Sequence, residues 1–350
     1  MLPLEQVVIE VTQACNHACV HCYNYWGAHR GPVSAPDTLS RAEILELARD
    51  LRSATNLKSV AFSGGEPTLR EDMAGITADL MEDGLNVVVI SNGSLLTDAR
   101  LAAFPAGTGF ELTLFSADAK VHDRIAGCAG AFDRVIEAAI SVQQRKCRLA
   151  VACVITRLNL AGLERTVELA LALGAEGILF NRINLAAPTF SKAGALVPSA
   201  AELRAALETA DRIAGKSGAA ISIAVPIPPC VVDPSPYHHL HFGWCPRGGQ
   251  GAYYTIGYNG LVRPCNHSSV VLGDVRRKSF AEIVTSQPAR AFWSAIPLEC
   301  QTCTHPLRES CRGGCPASSH ECLGTAERMD PFVNFSLGHH KVPLLIGATG

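Results

Sequence analysis

Apolar runs and amphipathic stretches alternate along the first half of the chain. The runs are VVIEVT (7–12), LKSVAFSGG (57–65), NVVVISN (86–92), FELTLFS (110–116), RLAVACVIT (148–156) and GILFNRIN (177–184). Stretches with helical spacing, such as SRAEILELARDLRS (40–53) and LAGLERTVELALALG (160–174), separate them. Ser40 with Glu43 three residues on reads as a capping box opening the first helix. Near-continuous apolar strands alternating with helices predict a parallel sheet covered by helices. Six such units fall short of a closed eight-unit barrel, so the expected class is α/β, a partial (β/α)6 barrel of the TIM type.

The rhythm breaks after residue 185. One more helix is expected over 199–218, followed by the proline-rich VPIPPCVVDPSPYHHLHF (225–242), read as an extended linker. Beyond Trp244, AYYTIGYNGLVRPC reads as a hairpin turning at Asn259–Gly260, and SFAEIV as a short helix. The expected organisation is a barrel over 1–190, a bridging helix and linker over 191–243, a small cysteine-rich domain over 244–335 and a tail over 336–350. So thin a C-terminal core calls for metal support.

Composition narrows the class. Of 350 residues, 48% are hydrophobic and 18% charged, as in a well-filled globular protein. A net charge of -2 gives no pull toward nucleic acid or an anionic membrane. No apolar stretch reaches the ~20 residues of a membrane helix, and the N-terminus lacks a signal-peptide pattern. A cytoplasmic setting is expected. Fourteen cysteines in a reducing compartment then point to metal or redox chemistry. Three of them, Cys128, Cys147 and Cys153, fall in or beside apolar patterns and read as core.

Directly after the first strand, Cys15, Cys19 and Cys22 form C-x3-C-x2-C. Three thiolates leave one position of a four-ligand centre open, for chemistry or for a histidine ligand to zinc from His17, His21 or His29. The second strand ends in Gly64-Gly65-Glu66-Pro67, the third in Ser91-Asn92-Gly93, the fourth in Ser116-Ala117-Asp118. Polar or permissive residues thus recur at the C-terminal strand ends, where a barrel of this type builds its site.

These motifs together resemble those of the radical S-adenosylmethionine (SAM) superfamily. The resemblance implies that Cys15, Cys19 and Cys22 hold a 4Fe–4S cluster whose fourth iron binds SAM. It implies that Gly64, Gly65 and Glu66, with Pro67 completing the motif, hold the methionine amino group, and that His21 lies beside the adenine. Ser91, Asn92 and Ser116 match polar residues near the methionine carboxylate and ribose, although such hydroxyls also cap helices.

The C-terminal cysteines resemble a SPASM domain, an extension carrying one or two auxiliary 4Fe–4S clusters. The resemblance assigns Cys245, Cys265 and Cys315 to a first cluster, with Cys230 upstream as a candidate fourth ligand. Cys300, Cys303 and Cys311 go to a second. The cysteine usual beyond an Asp-Pro is missing after Asp330-Pro331, so Cys322 is the preferred fourth ligand, with Asp330, a histidine or no fourth ligand as alternatives. A zinc ribbon of Cys300, Cys303, Cys311 and Cys315 is the competing reading. His267, beside Cys265, is a candidate base, whereas His238, His239 and His241 precede Cys245 in the linker. Asn266 stands where sulfatase-maturating members carry an aspartate, which disfavours that activity.

The ending CRGGCPA…DP most resembles the pyrroloquinoline quinone and mycofactocin group of peptide maturases. The implied function is oxidative modification or cross-linking of a ribosomally made peptide, driven by a reductant such as flavodoxin or ferredoxin. Only fourteen residues precede Cys15, which assigns any leader recognition to a separate protein and leaves a small-molecule substrate as the alternative. A non-catalytic iron–sulfur or zinc scaffold is the distant third, since it has no use for an open iron site.

Overall fold

The computed structural model describes residues 2–26, 37–248 and 251–338; His29 and the end of the tail lie outside them. Six parallel strands form the expected core: β1 (Gln6–Glu10), β2 (Ser59–Ser63), β3 (Asn86–Ser91), β4 (Gly109–Thr113), β5 (Arg148–Ile155) and β6 (Gly177–Arg182). They pair in sequence order, with Val7 opposite Val60 and Val151 opposite Ile178. Alternate residues such as Val7, Ile9, Val60, Phe62 and Val89 are fully buried in a single large core under the helices. Ser40 and Glu43 make the predicted capping box, and the same device opens the helix Ala200–Ser217 through Ser199 and Glu202.

The sheet runs further than the sequence pattern showed. Strands β7 (Ile221–Ile223) and β8 (Leu240–Phe242) add on beyond β6, both parallel. The supposed linker therefore ends inside the sheet. Three-residue strands are too short to show a period, yet Ile221 and Ile223 are fully buried.

At the opposite edge, β9 (Thr255–Ile256) pairs parallel to β1. Strands β10 (Leu261–Arg263) and β11 (Gly273–Asp274) continue the sheet outward, antiparallel. The β9–β10 hairpin turns where expected, with Gly260 at a φ of 80°. The cysteine-rich domain is thus sewn to the barrel through β1, and the sheet's order, β11-β10-β9-β1 through β8, stays open. A buried ion pair of Arg263 with Glu10 reinforces that seam, and a second, Arg182 with Asp330, ties the end of β6 to the C-terminal segment. Cys147 and Cys153 lie in the core as expected, while Cys128 is half-buried and accepts from Arg134 at 3.1 Å. No helix among the described residues is long and apolar enough to cross a membrane.

Candidate active site

The loop after β1 carries Cys15, Cys19 and Cys22, all half-buried, at the C-terminal rim of the sheet. Burial pushes the Cys15 thiol up to about 11, with the Glu66 carboxylate and the Cys22 thiol adding to it. Burial raises Cys19 further, and Cys22 and Cys15 again contribute. The three thiols lie near enough to raise one another's pKa, so each stays protonated on its own. A positively charged metal group relieves them by taking the thiolates and releasing protons. The donor set therefore fits an iron–sulfur cluster.

The second motif packs directly on this loop. Gly65 N–H donates to the Thr12 carbonyl and Glu66 N–H to that of Ala14, both at 2.8 Å. A Cβ on Gly64 or Gly65 would collide with the backbone oxygens of Thr12 and Ala14, and Gly64 holds a φ of 127°. The glycines are needed so that the two loops can touch. Asn24, just after Cys22, closes the contact by donating to the Gly64 carbonyl at 3.0 Å.

Glu66 is buried and gathers the strand ends. Its Oε1 accepts from Thr68 N–H (3.1 Å), Thr68 Oγ1 (2.5 Å) and Ser91 Oγ (2.8 Å), and its Oε2 from Asn92 N–H (2.8 Å). Desolvation raises its pKa, opposed by those donors. Oε2, with one partner, keeps capacity for another donor. Pro67 opens a single helical turn with Glu66 as its cap. Asn92 Nδ2 donates to Asn16 Oδ1 at 2.8 Å, and Asn16 donates to Ser94 Oγ at 2.7 Å, tying the cysteine loop to the end of β3.

His21 is buried, edge-on to Phe115 with ring centroids 4.8 Å apart, and burial lowers its pKa to about 4. Its Nδ1, His17 Nε2, Asn24 Oδ1 and both amide atoms of Asn184 just past β6 are buried without partners. Such atoms are costly unless a bound group meets them. Ser116 is spent locally: its Oγ accepts from Asp118 N–H at 3.0 Å, at the head of the helix Ala119–Ala126. The cap of that helix is Asp118, whose side chain accepts from Val121 N–H at 3.1 Å, and Ser116 supports it.

Two cavities divide the C-terminal cysteines. Cys245, Cys265 and Cys315 line a narrow one, of about 30 Å³, together with His267, Tyr253 and Trp293. Cys300, Cys303 and Cys311 line a wider one, of about 260 Å³, and Cys230 lines it with them. The turn after Pro228-Pro229 thus places Cys230 beside the second group and not the first, with which it was expected. Cys322 lines neither cavity; it sits 5% exposed in the apolar core. Asp330 is fully buried, its carboxylate accepting from Arg182, from Cys315 N–H and from Phe332 N–H. Cys315, the fourth member of the zinc-ribbon reading, lines the other cavity. Among the described residues, neither the rim cysteines nor the C-terminal ones bring three side chains close enough to share a single ion.

His267 packs edge-on against Tyr23 at 4.3 Å between centroids, and Asn266 Nδ2 donates to the Tyr23 hydroxyl at 2.9 Å. Burial, with Arg182 and Arg263 nearby, lowers the His267 pKa to about 3. His238, His239 and His241 are exposed. Sequence reasoning missed Asn16, Tyr23, Asn24, Thr68 and Asn184; the only available hint was that the first three stand inside or beside the cysteine motif.

An open parallel sheet with three clustered thiols at its rim, locked to a Gly-Gly-Glu turn, defines a radical SAM enzyme with further cysteine groups in its C-terminal domain. The chain belongs to that superfamily. Residues 9–170 match the radical SAM superfamily model, and 245–316 match the SPASM model, an iron–sulfur cluster-binding domain. The chain is 29% identical to the PqqA peptide cyclase of Ruegeria pomeroyi, covering 98% of this chain and 90% of that protein. It is 30% identical to the PqqA peptide cyclase of Methylocella silvestris, covering 96% and 89%. Among solved structures it resembles Streptococcus suis SuiB bound to its precursor peptide SuiA, with a TM-score of 0.73, 16% identity and coverage of 95% and 76%. It also resembles anSMEcpe with bound AdoMet, with a TM-score of 0.71, 15% identity and 95% coverage of both chains.

Proposed function

We propose that this enzyme oxidatively modifies or cross-links side chains of a ribosomally made peptide. The observation that carries the reading is the rim site itself, three thiols beside the Glu66 network, in a chain similar over nearly its whole length to PqqA peptide cyclases. Cys15, Cys19 and Cys22 hold the SAM-binding cluster. Glu66 Oε2 receives the SAM ammonium, and Ser91 and Asn92 fix the carboxylate for that contact. His21 and Asn24, with their unpartnered buried atoms, are the residues assigned to meet the rest of SAM. Cluster and SAM together supply a 5'-deoxyadenosyl radical for hydrogen-atom abstraction, and the protein's part is to orient the reactants and exclude water.

Cys245, Cys265 and Cys315 hold an auxiliary cluster, linked to the rim by the packed pair Tyr23 and His267. A flavodoxin- or ferredoxin-type donor supplies electrons. The free thiols suit a reducing cytoplasm. Anaerobic reconstitution with SAM, reductant and a candidate precursor peptide tests the reading. Expected are 5'-deoxyadenosine and a peptide short of hydrogen. No 5'-deoxyadenosine defeats the radical SAM assignment; 5'-deoxyadenosine with turnover of a small molecule and none of any peptide defeats the peptide assignment.

A further inference from the structure

We infer that Cys230, outside the cysteine-rich domain in sequence, completes a four-thiolate iron–sulfur site with Cys300, Cys303 and Cys311. The inference rests on the reading that the C-terminal cysteines hold clusters. These four cysteines line one cavity, and Cys245, Cys265 and Cys315 line a different one. Cys230 is exposed at the first cavity, but its backbone is anchored. Val231 and Val232 N–H both donate to the Pro228 carbonyl, and both valines are buried at 3% and 2% exposure. The turn therefore holds Cys230 at the cavity instead of leaving it on a loose surface loop. Across from it, Cys303 N–H donates to the Cys300 carbonyl at 3.2 Å, and Gly313 lies close against the Cys300 side chain.

The fourth ligands expected from the sequence are elsewhere or engaged, and Glu309, which also lines the cavity, pairs with Arg308. Cys322 is in the apolar core, and the Asp330 carboxylate is committed to Arg182 and two backbone donors. Val333, just beyond the Asp-Pro pair, lines the cavity and has no donor atom to offer. His305 lines it too, but its Nδ1 accepts from Leu307 N–H at 3.1 Å. Four thiolates match the usual ligand set of a 4Fe–4S cluster. An N-terminal ligand from before β8 and three from the C-terminal turns would then clamp the two parts of the chain together.

The test uses the full chain with Cys15, Cys19 and Cys22 changed to Ala, so that only auxiliary iron remains. Adding Cys230→Ala should lower the iron by up to about four atoms per chain or change the Mössbauer signature of one cluster. Adding Cys322→Ala instead should change neither. Iron and spectrum both untouched by Cys230→Ala would overturn the inference, as would loss of iron confined to His305→Ala. A second measurement needs no substitution: iodoacetamide labelling read by mass spectrometry should modify Cys230 in the iron-free protein and spare it in the loaded protein. Equal labelling in both states contradicts the site. A parent variant without auxiliary iron would defeat the cluster reading as well, whereas a parent with iron that Cys230→Ala retains unchanged defeats only the ligand.

Discussion

The two C-terminal cysteine groups differ in how the protein surrounds them. Cys245, Cys265 and Cys315 sit in a narrow cavity walled by Tyr253, Phe292 and Trp293. Burial lifts the Cys315 thiol to about 12 and raises Cys265 as well. Cys300, Cys303 and Cys311 border a wider cavity beside the polar side chains of Arg308, Glu309 and Arg312, with Cys230 exposed at its edge. Exposure and hydrogen bonding set the potential of an iron–sulfur centre. One fold therefore offers a shielded three-thiol site toward the barrel and an open four-thiol site toward solvent.

The comparison can be broken in several places. The largest effect is expected at the rim, outside both groups. Changing Cys15, Cys19 and Cys22 together to Ala should abolish SAM cleavage while the auxiliary iron stays. SAM turnover surviving in that variant would refute the rim assignment.

Next comes the support of the inner group. Arg182→Met leaves the buried Asp330 without its ion partner, which typically costs about 3–5 kcal/mol. Because Asp330 also receives Cys315 N–H, iron should leave the inner site before the outer one. A thermal melt with parallel iron analysis checks this, and an unchanged midpoint would show that the pair carries no load.

A smaller effect is expected for Glu66→Gln. Losing a charge-assisted hydrogen bond of about 1.5–3 kcal/mol should weaken SAM binding tenfold or more, with iron content unchanged. Equal affinity in a binding titration would remove Glu66 from the SAM contact.

The rim was legible in the sequence because its parts are local. C-x3-C-x2-C and Gly-Gly-Glu-Pro are each continuous, and parallel strands in sequence order bring their ends together. Even there, the glycines have a reason that spacing does not reveal, the close approach of two backbones at Thr12 and Ala14. Strands β7 and β8 were invisible because three residues carry no period. The sorting of the outer cysteines was hidden for a different reason. Cys315 lies four residues after Cys311 yet faces another cavity, and Cys230 stands seventy positions before Cys300, the next member of its group. Only the folded path through the sheet decides which thiols meet. Cys322 was attractive by proximity in sequence, but its helix turns it into the core.

The central claim, that the C-terminal domain holds one shielded and one open iron–sulfur site, is tested most directly by chelation. The variant lacking Cys15, Cys19 and Cys22 is reconstituted anaerobically and exposed to an iron chelator while Mössbauer spectra and iron content are followed. The account predicts a starting content of about eight irons per chain that falls in two phases, about half leaving quickly from the open site and the rest slowly. A starting content near four, or a single phase of loss, would contradict it.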